Sequence, residues 1–144
     1  MVNGICRIIQ NTGLMGRWQI IRSNPLTIAD VGHNKEGIRY VVNQLSPMDR
    51  RQLHIVFGMV ADKDHEEILS LLPKEAIYYF CKAGIPRALD QHQLAAEAHR
   101  AGLRGKAYSS VRKALASARL SAHRNDIIFI GGSTFVVAEV LSPR

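Results

Sequence analysis

Apolar positions along this chain switch repeatedly between a period near two, or continuous runs, and a period near 3.6. The switches outline alternating strands and helices. Residues 18–22 (WQIIR) and 26–30 (LTIAD) are predicted as strands on either side of a 23-SNP-25 turn. Ile38, Val41, Val42 and Leu45 then fall at i, i+3, i+4 and i+7, one face of a helix that Asn34 can cap and Pro47 closes. The run 53-LHIVFG-58 is continuously apolar, as expected of a strand buried on both faces. Asp64 with Glu67, and Asp90 with Gln93, read as capping boxes. The first opens a helix carrying Ile68, Leu69 and Leu72 that stops at Pro73. The second opens one lined by Leu94, Ala95, Ala98 and Ala101 that ends at Gly102. Strand 76-AIYYFC-81 lies between them.

A short strand near residues 105–108, a helix facing inward through Val111, Ala114, Leu115 and Ala118, and strand 127-IIFI-130 continue the alternation. After Gly131-Gly132, residues 133–141 are predicted as a closing helix capped by Ser133, although Val136-Val137 also suits a strand. The alternation implies an α/β fold: a Rossmann-like, mostly parallel sheet with helices on both faces. The first strand or two are free to run antiparallel. Open sheets of this kind bind ligands at the carboxyl ends of their strands. Those ends carry 30-DVGHN-34, 58-GMVADKD-64, 82-KAGIPR-87 and 131-GGST-134, which concentrates charge, glycine and hydroxyls on one rim.

Composition narrows the function classes. At 144 residues the chain makes one domain, and 47% apolar content without a low-complexity tract argues against disorder. No apolar run approaches the roughly 20 residues of a membrane span, and the N-terminus lacks the apolar core of a signal peptide. Cys6 and Cys81 stand alone, with no metal-binding spacing, which suits a reducing, cytoplasmic compartment. The net charge of +7 invites a nucleic-acid reading. The basic residues form only doublets, Arg50-Arg51 and Arg112-Lys113, and no stacking signature accompanies them, so anionic small ligands fit as well.

Each rim candidate has a plain alternative. Asp30, just past a strand, suits a ribose hydroxyl or a helix cap. His33 suits a carboxylate or phosphate, or a loop hydrogen bond. Asn34 is a helix N-cap. Arg17, in 14-LMGRWQ-19, offers a fork for phosphate or an adenine edge, or is a surface arginine. Ser133, after two glycines at a helix start, can hold an anion or simply cap. The acids of 62-DKD-64 could take a cation, though Asp64 is already explained as a cap. Gly105-Lys106 is no P-loop, since Ala107 replaces the hydroxyl residue and no upstream glycine is correctly spaced. His65-Glu66-Glu67 lacks a second histidine, and His92 and His99 lie two turns apart. No metal site and no catalytic nucleophile are identified.

Taken in order, 16-GRWQ-19, 30-DVGHN-34, 57-FGMVADKD-64, 85-IPRA-88 and 131-GGSTFVVAEVL-141 resemble the C-terminal domain of folylpolyglutamate synthase/dihydrofolate synthase, a branch of the Mur ligase superfamily. The similarity runs nearly end to end. Peptidoglycan Mur ligases resemble the same scaffold but usually show Asp-Tyr-Ala-His and Gly-Asp-Arg-Asp blocks. Two departures are Gly32, where alanine is usual, and Lys35, where proline is usual.

The resemblance implies an ATP-dependent ligase in which ATP phosphorylates a folate or pteroate carboxylate and the amine of L-glutamate attacks the acyl phosphate. It implies that Arg17 contacts ATP, that Asp30 contacts its ribose, that His33 faces the phosphate or incoming glutamate, and that Ser133 helps hold glutamate. ATP and Mg²⁺ would be held mainly by an N-terminal ATPase domain of the same protein, which this chain lacks. On this reading the segment alone has no catalytic residue and no activity. Residues 1–15 are expected to be a linker or helix remnant, with Ile5, Ile8 and Ile9 packing on a domain of residues 16–144. The parent would be a cytoplasmic monomer with no nucleic-acid or membrane partner. The residues leave open whether it converts dihydropteroate to dihydrofolate, polyglutamylates tetrahydrofolate, or both. Without the resemblance, they support a stand-alone α/β nucleotide- or anion-binding module without catalysis.

Overall fold

The computed structural model describes residues 16–142, so the expectations for residues 1–15 and the setting of Cys6 lie outside the described residues. Six strands, β1 (Gln19–Ser23), β2 (Leu26–Ala29), β3 (Leu53–Phe57), β4 (Ile77–Phe80), β5 (Arg104–Ala107) and β6 (Ile127–Gly131), form one sheet in the order β1-β2-β6-β3-β4-β5. The hairpin β1–β2 is antiparallel and every other pairing is parallel. Among the described residues there are five helices: α1 (Lys35–Leu45), α2 (His65–Ser70), α3 (Gln91–Arg100) and α4 (Val111–Ser121) connect successive strands from β2 onward, and α5 (Thr134–Leu141) follows β6.

The strand order explains where the helices go. From β2 to β5 the chain steps one way across the sheet through α1, α2 and α3, then returns through α4 to insert β6 between β2 and β3. Right-handed crossovers taken in opposite directions place their helices on opposite faces. Accordingly Ile38, Val41, Leu69 and Leu94 pack with Leu53, Ile55 and Phe57 on one face. Val111, Ala114, Leu115 and Val136 pack with Val56, Ile128 and Ile130 on the other. The continuously apolar strands are therefore alternating strands with both faces covered.

Local predictions hold to within a few residues, with informative exceptions. The segment containing Val136-Val137 is helical, because both side chains are buried against β6 on a helix capped by Ser133. Helix α2 ends at Ser70, before Leu72, which remains in the core from a following turn. Only half of each predicted capping box forms. Asp64 accepts from the Glu67 N–H, but the Glu67 carboxylate pairs with Lys35 at 2.9 Å and ties α2 to α1. Asp90 accepts from the His92 and Gln93 N–H groups, while the Gln93 amide donates forward to Glu97. In both cases a partner one turn on, or on the neighbouring helix, outcompetes the cap.

At the amino-terminal edge of the sheet a polar network replaces apolar packing. His54, 1% exposed, bonds the Tyr79 hydroxyl through Nδ1 and the Asp126 carboxylate through Nε2, both at 2.8 Å. Arg51 closes on Asp126 with two bonds of 2.9 Å, and the His123 N–H adds another.

Candidate functional site at the carboxyl rim

The opposite edge carries the predicted site residues, and the structure divides them into two groups. Asp30 leaves β2 almost wholly buried, 3% exposed. One carboxylate oxygen accepts the Trp18 N–H at 2.7 Å, the other the Gly32 N–H at 2.8 Å. It caps no helix; that task belongs to Asn34, which accepts the Gly37 N–H. Instead Asp30 fastens the turn at residues 16–18 to the loop after β2, together with the Val31 N–H, which donates to the Gly16 carbonyl at 2.8 Å. Trp18 needs such a tether, since its φ of +45° is unfavourable for a residue with a side chain. Arg17 is carried outward on this turn and is exposed.

The second group converges. His33, Lys63, Arg87, Ser133, Thr134 and Phe135 surround a cleft of about 230 Å³ over the ends of β2, β3, β4 and β6. This is where the crossover direction reverses, the place an open α/β sheet leaves a crevice. His33 Nδ1 lies 3.2 Å from the Val31 carbonyl. A carbonyl only accepts, so Nδ1 carries the proton and Nε2 is left for a ligand. Ser133 follows Gly132, whose φ of +98° and contacts with Gly58 and the Phe57 ring admit only glycine. That constraint aims Ser133 into the α5 N-terminus, where Oγ accepts the Phe135 N–H at 3.0 Å and keeps its own proton to donate.

The sequence leads one to expect His33 and Ser133 on one edge of the sheet and open to solvent. They do share that edge, but His33 is half-buried and Ser133, 3% exposed, is sunk into the floor of the cleft by its capping bond. Asp30 does not line the cleft.

Sequence reasoning missed Lys63 and Arg87. Arg87 lies over the Phe135 ring, 5.9 Å from its centroid, and faces Asp62 at 3.4 Å in an exposed, long ion pair. Its backbone is pinned too, the Ala61 N–H donating to the Arg87 carbonyl at 2.7 Å. The signal was present in 62-DKD-64 and 85-IPRA-88, but which of their charges face the cleft depends on two loops meeting. The acids of 62-DKD-64 are divided, Asp62 facing Arg87 and Asp64 capping α2. Cys81, below the rim, is buried against the Phe57 carbonyl, and burial pushes its thiol up to about 12.

Comparison with known proteins is consistent with this geometry. A family model described as Mur ligase, glutamate ligase domain, matches residues 16–134. A Haloferax volcanii protein named probable bifunctional folylpolyglutamate synthase/dihydropteroate synthase is 35% identical over 138 residues, which is 94% of this chain and 16% of that protein. The Escherichia coli dihydrofolate synthase/folylpolyglutamate synthase is 29% identical over 141 residues, 96% of this chain and 32% of that protein. A crystal structure of a bifunctional folylpolyglutamate synthase/dihydrofolate synthase with Mn, AMPPNP and L-glutamate bound superposes with a TM-score of 0.80 at 32% identity, over 89% of this chain and 31% of that one. The chain thus spans between about one sixth and one third of the length of these relatives.

Proposed function

The chain belongs to the Mur ligase glutamate ligase domain family, and we propose that it holds L-glutamate and one side of ATP in a ligase that glutamylates folate. The observation that carries this reading is the cleft itself. Lys63 and Arg87 supply two cations for a dicarboxylate, and the Ser133 hydroxyl adds a donor beside them. The Arg87–Asp62 pair is long and exposed, so Asp62 yields to a better-placed carboxylate at little cost. His33 Nε2 accepts a hydrogen bond when neutral and donates one when protonated, which suits a neighbour of an attacking amine or a departing phosphate. Arg17 contacts ATP, and Asp30 holds the turn that presents Arg17 while offering its remaining lone pairs to the ribose.

The chemistry follows the family. The γ-phosphoryl group of ATP passes to a carboxylate oxygen of the folate or pteroate acceptor, releasing ADP. The glutamate amine then attacks the acyl carbon; the C–N bond forms, the C–O bond to phosphate breaks, and the amine loses a proton. The described residues form no group of three or more acidic, His or Cys side chains placed to hold a metal, so these residues do not fit Mg²⁺ on their own and no step here passes through it. We assign Mg²⁺ and the phosphate-cradling loop to an ATPase domain of the same polypeptide, working as a cytoplasmic monomer.

The test is steady-state kinetics of the full-length enzyme carrying this domain. Lys63→Ala, Arg87→Ala and Ser133→Ala should each raise KM for L-glutamate about tenfold or more, the worth of one charge-assisted hydrogen bond. KM for ATP should hold steady in all three, and so should the melting temperature of the two exposed-cation variants. Ser133→Ala also loses the α5 cap and should cost about 1 kcal/mol of stability. Glutamate KM unmoved in all three variants would abolish the glutamate site. Failure of the full-length protein to release ADP in a glutamate- and folate-dependent way would leave a binding module without catalysis.

A further inference from the structure

We infer that the groove between the β5 edge and α4 is a second anion site, fitted to a phosphate-type oxyanion. The basic residues that look scattered in sequence are not scattered in charge. Residues 98–125 hold seven of the nineteen Lys and Arg and no Asp or Glu, a charge equal to the +7 of the whole chain. Six of them, Arg104, Lys106, Arg112, Lys113, Arg119 and Arg124, belong to β5, α4 and the loop that follows. None forms an ion pair among the described residues.

Arg104 and Lys106 are two residues apart on β5 and so share a face. The register pairs them with Ile77 and Tyr79, on the α4 side of the sheet. They border a groove of about 380 Å³ whose other walls include Tyr79, Tyr108, Ser117 and Ser121, with no carboxylate. The Tyr108 hydroxyl and Ser117 Oγ share one hydrogen bond of 2.9 Å, which uses one of their protons and leaves the other to donate. Tyr79 is held from behind by His54, so this wall is fixed before any ligand arrives.

Charged residues on an edge strand also discourage edge-to-edge pairing. That need is met by charge alone; it requires neither a groove, nor hydroxyl donors, nor the exclusion of every acid. A fork from Arg104, an ammonium from Lys106 and hydroxyl protons match the several acceptor oxygens of a phosphate better than the two of a carboxylate. The groove is open, so the group bound would be the terminal phosphate of a larger molecule.

The test is an NMR titration of the 144-residue chain with inorganic phosphate and with pyrophosphate at constant ionic strength, with L-glutamate and sodium chloride as controls. Saturable amide shifts at Gly105–Tyr108, Ser117 and Ser121 are expected. The exposed double variant Arg104→Gln/Lys106→Gln should bind about tenfold or more weakly at an unchanged melting temperature. Shifts that chloride reproduces, or saturation confined to residues around His33 and Ser133, would overturn the site. An equal response to L-glutamate would overturn its fit to phosphate.

Discussion

Each oxygen of Asp30 accepts one backbone N–H, from Trp18 twelve positions away and from Gly32 two positions away. Truncation to alanine strands both donors in a buried place, so Asp30→Ala should destabilise the chain by about 2–4 kcal/mol. Trp18 is the single tryptophan, and its emission in the folded state should move to longer wavelength as the turn loosens. In the full-length enzyme the same change should weaken ATP binding about tenfold or more, through Arg17 as well as through the ribose. A loss of stability with unaltered ATP affinity would confine Asp30 to holding the turn. At this scale the sequence marked Asp30 but not the turn that it holds. Asp30 was legible as a strand-end carboxylate, but its bond to Trp18 was not, because nothing local brings residue 18 beside residue 30.

Helices and strands were the most legible level, since periodicity and caps are written in neighbouring residues. Asn34, Asp64, Asp90 and Ser133 all cap the helices they were expected to cap. What escaped was how one element meets another, and the His54–Asp126–Arg51 network is the clearest case. Burial by itself would raise the Asp126 pKa, but the Arg51 fork, the His123 N–H and His54 together bring it down to about 2 from 3.8. A folded-state pKa below the unfolded one adds stability that is present above about pH 4 and is lost as pH falls from there toward 2. The melting temperature measured across pH 2–6 should therefore drop in that window. Arg51→Gln should shrink the drop, because it removes the strongest partner lowering the Asp126 pKa. A melting temperature that is flat from pH 5 to pH 2 would show that the network contributes nothing to acid stability.

Both faces of the sheet are covered by helices contributed by this chain, and each face has its own buried cluster. The 144-residue chain should therefore fold cooperatively by itself. Cys81 offers a check: in a Cys6→Ser background, its buried thiol should react with a thiol reagent only on unfolding. The same folded chain, given ATP, L-glutamate and a folate or dihydropteroate acceptor, should form no amide bond. Lys63, Arg87, His33 and Ser133 line one cleft, and in the proposed ligase that cleft is a single wall of the reaction site, completed by the ATPase domain. Measurable ligation by the chain alone would contradict this division of labour.

The sequence by itself determined the element types, their caps, the α/β class and the rim on which the candidate residues His33 and Ser133 gather. These depend on hydrogen bonds and side-chain periods that close within a few residues, so no distant contact is needed to read them. Tertiary structure alone decided that β6 inserts between β2 and β3, and that His54 meets Asp126 across 72 positions. It alone brought Lys63 and Arg87 to His33 and Ser133 while Asp30 was drawn to the turn at residues 16–18. Those outcomes are fixed by the burial of two apolar faces at once, a condition that only the whole chain can satisfy.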